Sequence, residues 1–145
     1  MQQVVTNESV FYHVWFGTKS RKWLLLGEVE DKIKELIKEI AKDKGIELLA
    51  CETMVEHVHL LLKVRPSELS KVMHLLKGVS SRRIFQAFPE LKLDARTLSF
   101  WQARYGAKVV PVEALKSIIE YIKTQKDRPE KFEESTLYPR FKPGV

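Results

Sequence analysis

Cysteine is almost missing from this chain of 145 residues: Cys51 stands alone. One thiol forbids a disulfide within the chain and excludes zinc sites built from several thiolates. The residues before it, Leu48-Leu49-Ala50, are apolar, so Cys51 reads as a small buried hydrophobe in a reducing compartment. No apolar stretch approaches the roughly 20 residues that span a bilayer. Met1-Gln2-Gln3-Val4-Val5-Thr6-Asn7-Glu8 has neither the basic start nor the apolar centre of a secretory signal. The expectation is a cytoplasmic protein with no membrane partner. No glycine-rich phosphate loop occurs, so nothing supports a nucleotide cofactor. No Ser-His-Asp or Cys-His arrangement is evident either. Asparagine is confined to Asn7 while lysine and glutamate abound, a balance found in heat-adapted proteins.

What is present suits one folded unit. Hydrophobic residues make up 44% and charged residues 30%, enough apolar surface for a core at the commonest domain size. Residues 1–145 are expected to form a single domain, with irregular tails at 1–8 and 129–145. The net charge of +6 favours a polyanionic partner, since lysine and arginine release counterions from phosphates.

The β-branched and aromatic run Val10 to Phe16 predicts a strand. Ile33, Leu36, Ile37, Ile40 and Ala41 recur at helical spacing within Val29–Lys44, and Gly45 suits the end of that helix. Ile46–Met54 and Val58–Val64 read as two further strands, with Val55-Glu56-His57 at the entry to the second. A second helix starts at Pro66-Ser67, with Ser67 as N-cap, and runs towards Phe88 before Pro89. Leu91–Thr97 reads as a loop, Leu98–Trp101 as a short strand, followed by Arg104 to Val110. Pro111 and Glu113 fit the first turn of a last helix carrying Leu115, Ile118, Ile119 and Ile122. The order β-α-β-β-α-β-α is the α+β, ferredoxin-like plan: an antiparallel sheet with helices on one face and an added C-terminal helix.

Four constellations carry chemistry. His57-Val58-His59 puts two imidazoles on one face of a strand, where they can share a metal ion. Alone, such a pair is more often two polar side chains on a solvent face, and a third ligand is what gives it weight. Tyr121 and Gln125 are four residues apart on the last helix. A tyrosine can attack a phosphodiester covalently, and an amide oxygen suits magnesium or manganese; a boundary tyrosine beside a solvated amide fits the same spacing. Lys77, Arg82 and Arg83 surround Gly78, whose place inside a helix invites close approach by DNA or another helix. Phe100-Trp101-Gln102-Ala103-Arg104-Tyr105-Gly106 interleaves aromatics with a cation, as base-stacking surfaces do and as core segments also do.

In this order and spacing the pieces resemble the single-tyrosine HUH transposases of small prokaryotic insertion sequences, from about Tyr12 to Gln125. Tyr12-His13-Val14-Trp15-Phe16 with the basic residues after it resembles the family's first strand. His57-Val58-His59-Leu60-Leu61-Leu62 resembles its metal motif, and Leu76-Lys77-Gly78-Val79-Ser80-Ser81-Arg82 its second helix. Phe100 to Gly106 resembles its Trp and Tyr-Gly segment. Val109-Val110-Pro111 departs from the more glycine-rich approach to the last helix seen in members of the family. The resemblance implies that Tyr121 is the nucleophile and that His57, His59 and Gln125 bind Mg2+ or Mn2+. It also implies a single-stranded DNA substrate with hairpin ends, a 5′-phosphotyrosine intermediate, and a homodimer whose last helices supply tyrosine to each other's metal sites. Lys77, Arg82, Arg83 and Arg104 are then candidate phosphate contacts. Three other readings fit parts of the pattern: a domesticated relative processing repeated palindromes, a non-catalytic ferredoxin-like nucleic-acid-binding module, and a metal hydrolase using water.

Overall fold

A computed structural model describes residues 8–95 and 99–125. The calls on the tails 1–8 and 129–145 and on Leu98 fall wholly or largely outside the described residues. Strand β1 (Val10–Gly17) pairs antiparallel with β3 (His57–Val64) on one side and with β4 (Gly106–Val110) on the other. β2 (Glu47–Met54) forms a hairpin with β3, giving the order β2-β3-β1-β4. Helices α1 (Gly27–Asp43), α2 (Leu69–Ala87), α3 (Glu90–Ala95) and α4 (Leu115–Lys123) complete the expected α+β plan, with α3 added.

The alternation of strand side chains decides where each helix goes. Val14 and Phe16 of β1 and Val58, Leu60 and Leu62 of β3 enter one core with Ile33, Leu36, Ile37 and Ile40 of α1 and Met73, Leu76 and Ile84 of α2. The intervening positions form a second cluster: Leu61 meets Ala50 of β2, Val110 of β4, and Tyr121 and Ile122 of α4. α4 therefore covers the opposite face of the sheet from α1 and α2. This explains the unbroken apolar run Leu60-Leu61-Leu62, because β3 is buried on both sides. Cys51 packs against the first core as a small apolar side chain, and burial pushes its thiol up to about 12.

Three local expectations are corrected. Ser67 does not cap α2: Pro66–Glu68 forms its own 3-10 turn, and the α2 N-cap is Glu68, without a side-chain hydrogen bond. Pro66, with its fixed φ, starts the turn one residue early and places Ser67 inside it. Leu91–Thr97 is not all loop, because Glu90–Ala95 is helical. Pro89 both ends α2 and suits the start of a helix, and burying Leu91 in the main core anchors the new turn. In place of a strand before Trp101 there is a single bridge between Thr18 and Trp101, with Gln102 N–H donating to the Gly17 carbonyl at 2.8 Å. Among the described residues, no helix is long and apolar enough to cross a membrane.

One close approach fixes the register of β1 against β4. Gly106 pairs with Trp15, and a Cβ there would fall 2.2 Å from the indole. The glycine is what lets Trp15 lie flat across β4. Gly106→Ala is expected to cost about 1–3 kcal/mol through overpacking. Urea unfolding followed by tryptophan fluorescence checks this, with a shifted native emission as Trp15 is displaced.

Candidate active site

His57 and His59 fall on the β3 face that looks towards α4. Both are fully buried, at 0% exposure, with ring centroids 4.9 Å apart. Burial on this scale excludes the reading of two polar side chains on a solvated face. Each ring is held through Nδ1: Glu56 Oε1 lies 2.8 Å from Nδ1 of His57, and Nε2 of His13 lies 2.8 Å from Nδ1 of His59. Nε2 is then the nitrogen through which each ring can ligate a cation. Buried imidazoles of neighbouring positions, oriented from behind, are the donor set of a metal site.

The turn after β1 reinforces Glu56. Ser20 and Arg21 both have left-handed backbone, at φ 57 and 53, which is costly for residues with a Cβ. The Thr18 N–H donates to the Glu56 carbonyl at 2.9 Å. The buried Arg21 side chain lies over Gly17, where a Cβ would fall 2.7 Å from Nε, and Gly17 pairs with His57 in the sheet. Burial alone would push the Glu56 carboxyl up. The His57 hydrogen bond and charge, with Arg21 nearby, instead hold it below the ordinary carboxylate range.

Tyr121 comes to the same place from α4. It is 6% exposed, and its ring lies 6.3 Å from that of His59 and 6.2 Å from that of His13. The amphipathic stripe of Leu115, Ile118, Ile119 and Ile122 sets this orientation by docking α4 on the second core. Gln125 is 1% exposed. It lies beyond the last residue of α4, after a turn in which the Thr124 hydroxyl donates to the Glu120 carbonyl at 2.8 Å. So the i, i+4 pair is not carried on one continuous helix, yet both side chains are buried. Among the described residues, no third histidine, cysteine, aspartate or glutamate completes a metal cluster with the histidine pair. A third protein ligand must therefore be of another kind, and an amide oxygen qualifies.

The comparisons with known proteins fit this arrangement. The family model described as "Transposase IS200 like" matches residues 6–125. The chain belongs to the IS200-like transposase family. It is 36% identical over 118 residues to the ISDra2 transposase TnpA of Deinococcus radiodurans, a match covering 81% of this chain and 84% of that protein. It is 30% identical over 130 residues to the transposase for insertion sequence element IS200 of Salmonella typhimurium, covering 88% and 85%. A solved Deinococcus radiodurans structure described as a candidate transposase aligns with TM-score 0.66 at 34% identity, over 86% of this chain and 97% of that one. A REP-associated tyrosine transposase bound to a REP hairpin shares the fold, with TM-score 0.59 at 12% identity, over 100% of this chain and 90% of that one.

An IS200-like transposase acts on DNA, and the basic candidates sort into two kinds. Arg82 and Arg104 are exposed and Arg83 is half-buried. Arg82 borders a groove of about 730 Å³ between α2 and residues 99–105. Gly78 lines the same groove, and a Cβ there would meet nothing within 4 Å, so no other protein element occupies that side. Lys77 is placed otherwise. Its Nζ donates to the carbonyls of Gln102, Ala103 and Arg104 at 2.6, 3.0 and 3.2 Å. All three N–H groups go to protein, so the phosphate-contact reading of Lys77 gives way to that of a brace. Burial lowers its pKa to about 8. The aromatics nearby are also structural: Phe100 and Trp101 are core residues, tied to α2 by Phe100 N–H to Ser81 Oγ at 2.8 Å and Trp101 Nε1–H to Ser80 Oγ at 2.9 Å.

The sequence reading missed His13 and Arg21. A histidine in an otherwise apolar strand was a signal for the first, but its partner depends on the β1–β3 register. Lys77→Met is expected to lower stability by about 1–3 kcal/mol, the cost of stranded carbonyls, while leaving the salt dependence of DNA affinity unchanged. Arg82→Ala is expected to do the reverse, reducing the log–log salt slope by about 1. Thermal melts and filter binding across a salt series check both.

Proposed function

We propose that the chain cleaves and rejoins single-stranded DNA by transesterification, with Tyr121 as nucleophile and a divalent cation at His57, His59 and Gln125. The observation that carries the reading is the meeting of Tyr121 with the buried histidine pair on the α4 face. Mg2+ or Mn2+ held there would polarise the scissile phosphate and stabilise its developing charge. Tyr121 Oη attacks the phosphorus, the bond to the 3′ oxygen breaks, and that oxygen leaves as a 3′-hydroxyl. The DNA remains attached as a 5′-phosphotyrosine. Attack by a different 3′-hydroxyl reverses the step and returns the phenol, so no nucleotide cofactor is consumed. Glu56 is engaged with His57, which assigns it to positioning that ring rather than to removing the tyrosine proton.

The substrate is DNA with hairpin ends, and the groove beside Arg82 is its proposed phosphate-lined seat. The proposed assembly is a homodimer. α4 lies here on β2 and β3 of its own chain, so exchange of tyrosines between subunits requires α4 to swing about the segment from Pro111 to Ala114.

End-labelled single-stranded DNA from the element's own termini, incubated with Mg2+ or Mn2+, is expected to give a denaturant-resistant protein–DNA adduct. Tyr121→Phe and His57→Ala abolish it, and Tyr121→Phe binds the DNA as the parent does. Full cleavage by Tyr121→Phe overturns the nucleophile assignment. Tight, metal-independent binding without any adduct points instead to a binding module.

A further inference from the structure

The proposed chemistry leaves unused a buried histidine at the centre of the sheet. His13 is 0% exposed and sits on β1 opposite Leu61, one pair along from the Trp15–His59 pair. It is thus the diagonal neighbour of His59 on the α4 face. Its Nε2 lies 2.8 Å from Nδ1 of His59. Its ring is packed edge-on against Trp15 at 5.3 Å and faces Tyr121 at 6.2 Å. Trp15 is itself seated against Gly106, so the ring of His13 has little room to turn.

Resting on the reading that His57 and His59 hold the cation, we infer that His13 is a positioning residue that selects the metal-binding tautomer of His59. A hydrogen bond between two imidazoles has one donor and one acceptor. If His13 donated, Nδ1 of His59 would carry the lone pair and Nε2 the proton, and Nε2 could not ligate. Ligation through Nε2 requires the Nδ1–H of His59 to donate to Nε2 of His13. His13 then carries its own proton on Nδ1 and does not touch the cation. His57 receives the matching service from Glu56. The two rings are thus anchored from opposite sides, one by a carboxylate and one by an imidazole. Such outer partners fix ring orientation and tautomer together.

The test uses the full chain and Mn2+ alone. Calorimetric titration measures affinity, and pulsed electron paramagnetic resonance of the bound ion reads its nitrogen couplings. His13→Leu fills the space without an acceptor, and His13→Gln places an amide oxygen at similar reach. His13→Leu is expected to lose about 10–100-fold in Mn2+ affinity and to weaken one of the two imidazole couplings, while His13→Gln stays close to the parent. Thermal melts confirm that each variant is folded, and His57→Ala serves as the metal-site control. Parent-like affinity in His13→Leu overturns the inference. An equal loss in both variants overturns it as well, since ring packing rather than the acceptor nitrogen would then matter. A parent chain that binds no Mn2+ overturns the underlying metal reading, an outcome distinguishable from the other two.

Discussion

With α1 and α2 packed on one side of β3 and α4 on the other, the side chains from His57 to Leu62 are all buried. A strand buried on both faces must be apolar or must bring partners for whatever polar groups it carries. β3 does both. Val58, Leu60 and Leu62 complete the larger core, and Leu61 the smaller one. His57 and His59 occupy the remaining positions and enter the interior only because Glu56 and His13 meet their Nδ1 atoms. The cost of burying two imidazoles therefore dictates the local sequence on neighbouring elements.

The same constraint draws the other groups in. α4 has to cover Leu61 and Ala50, and its apolar stripe fixes the rotation at which it docks. Tyr121 borders that stripe and so arrives beside the histidines. On the far side of the sheet, Lys77, Ser80 and Ser81 tie residues 99–104 to α2. This leaves the arginines of α2 at the rim of a groove. Proposed chemistry and proposed DNA seat thus lie on different layers around one shared strand pair.

Much of this was legible in the sequence because period-two and period-3.6 patterns are local. The element order, the common face of His57 and His59, and the edge position of Tyr121 all follow from spacing. What was not legible depends on pairing between distant segments. The diagonal contact of His13 with His59 exists only in the β1–β3 register, 46 residues apart in sequence. Lys77 read as a phosphate contact because nothing local shows that three carbonyls from residues 102–104 converge on it. Pro66 and Pro89 misled in a smaller way, since a proline that closes one element also opens the next, and tertiary burial of Leu91 decided the second case.

The central claim is that the residue beside the histidine pair is the one that becomes attached to DNA. Peptide mapping by mass spectrometry of the trapped adduct, after nuclease and trypsin digestion, tests it most directly. The account predicts a nucleotide mass on the peptide Ser117–Lys123, localised to Tyr121. A nucleotide on any other residue, or cleavage with no modified peptide, would contradict it.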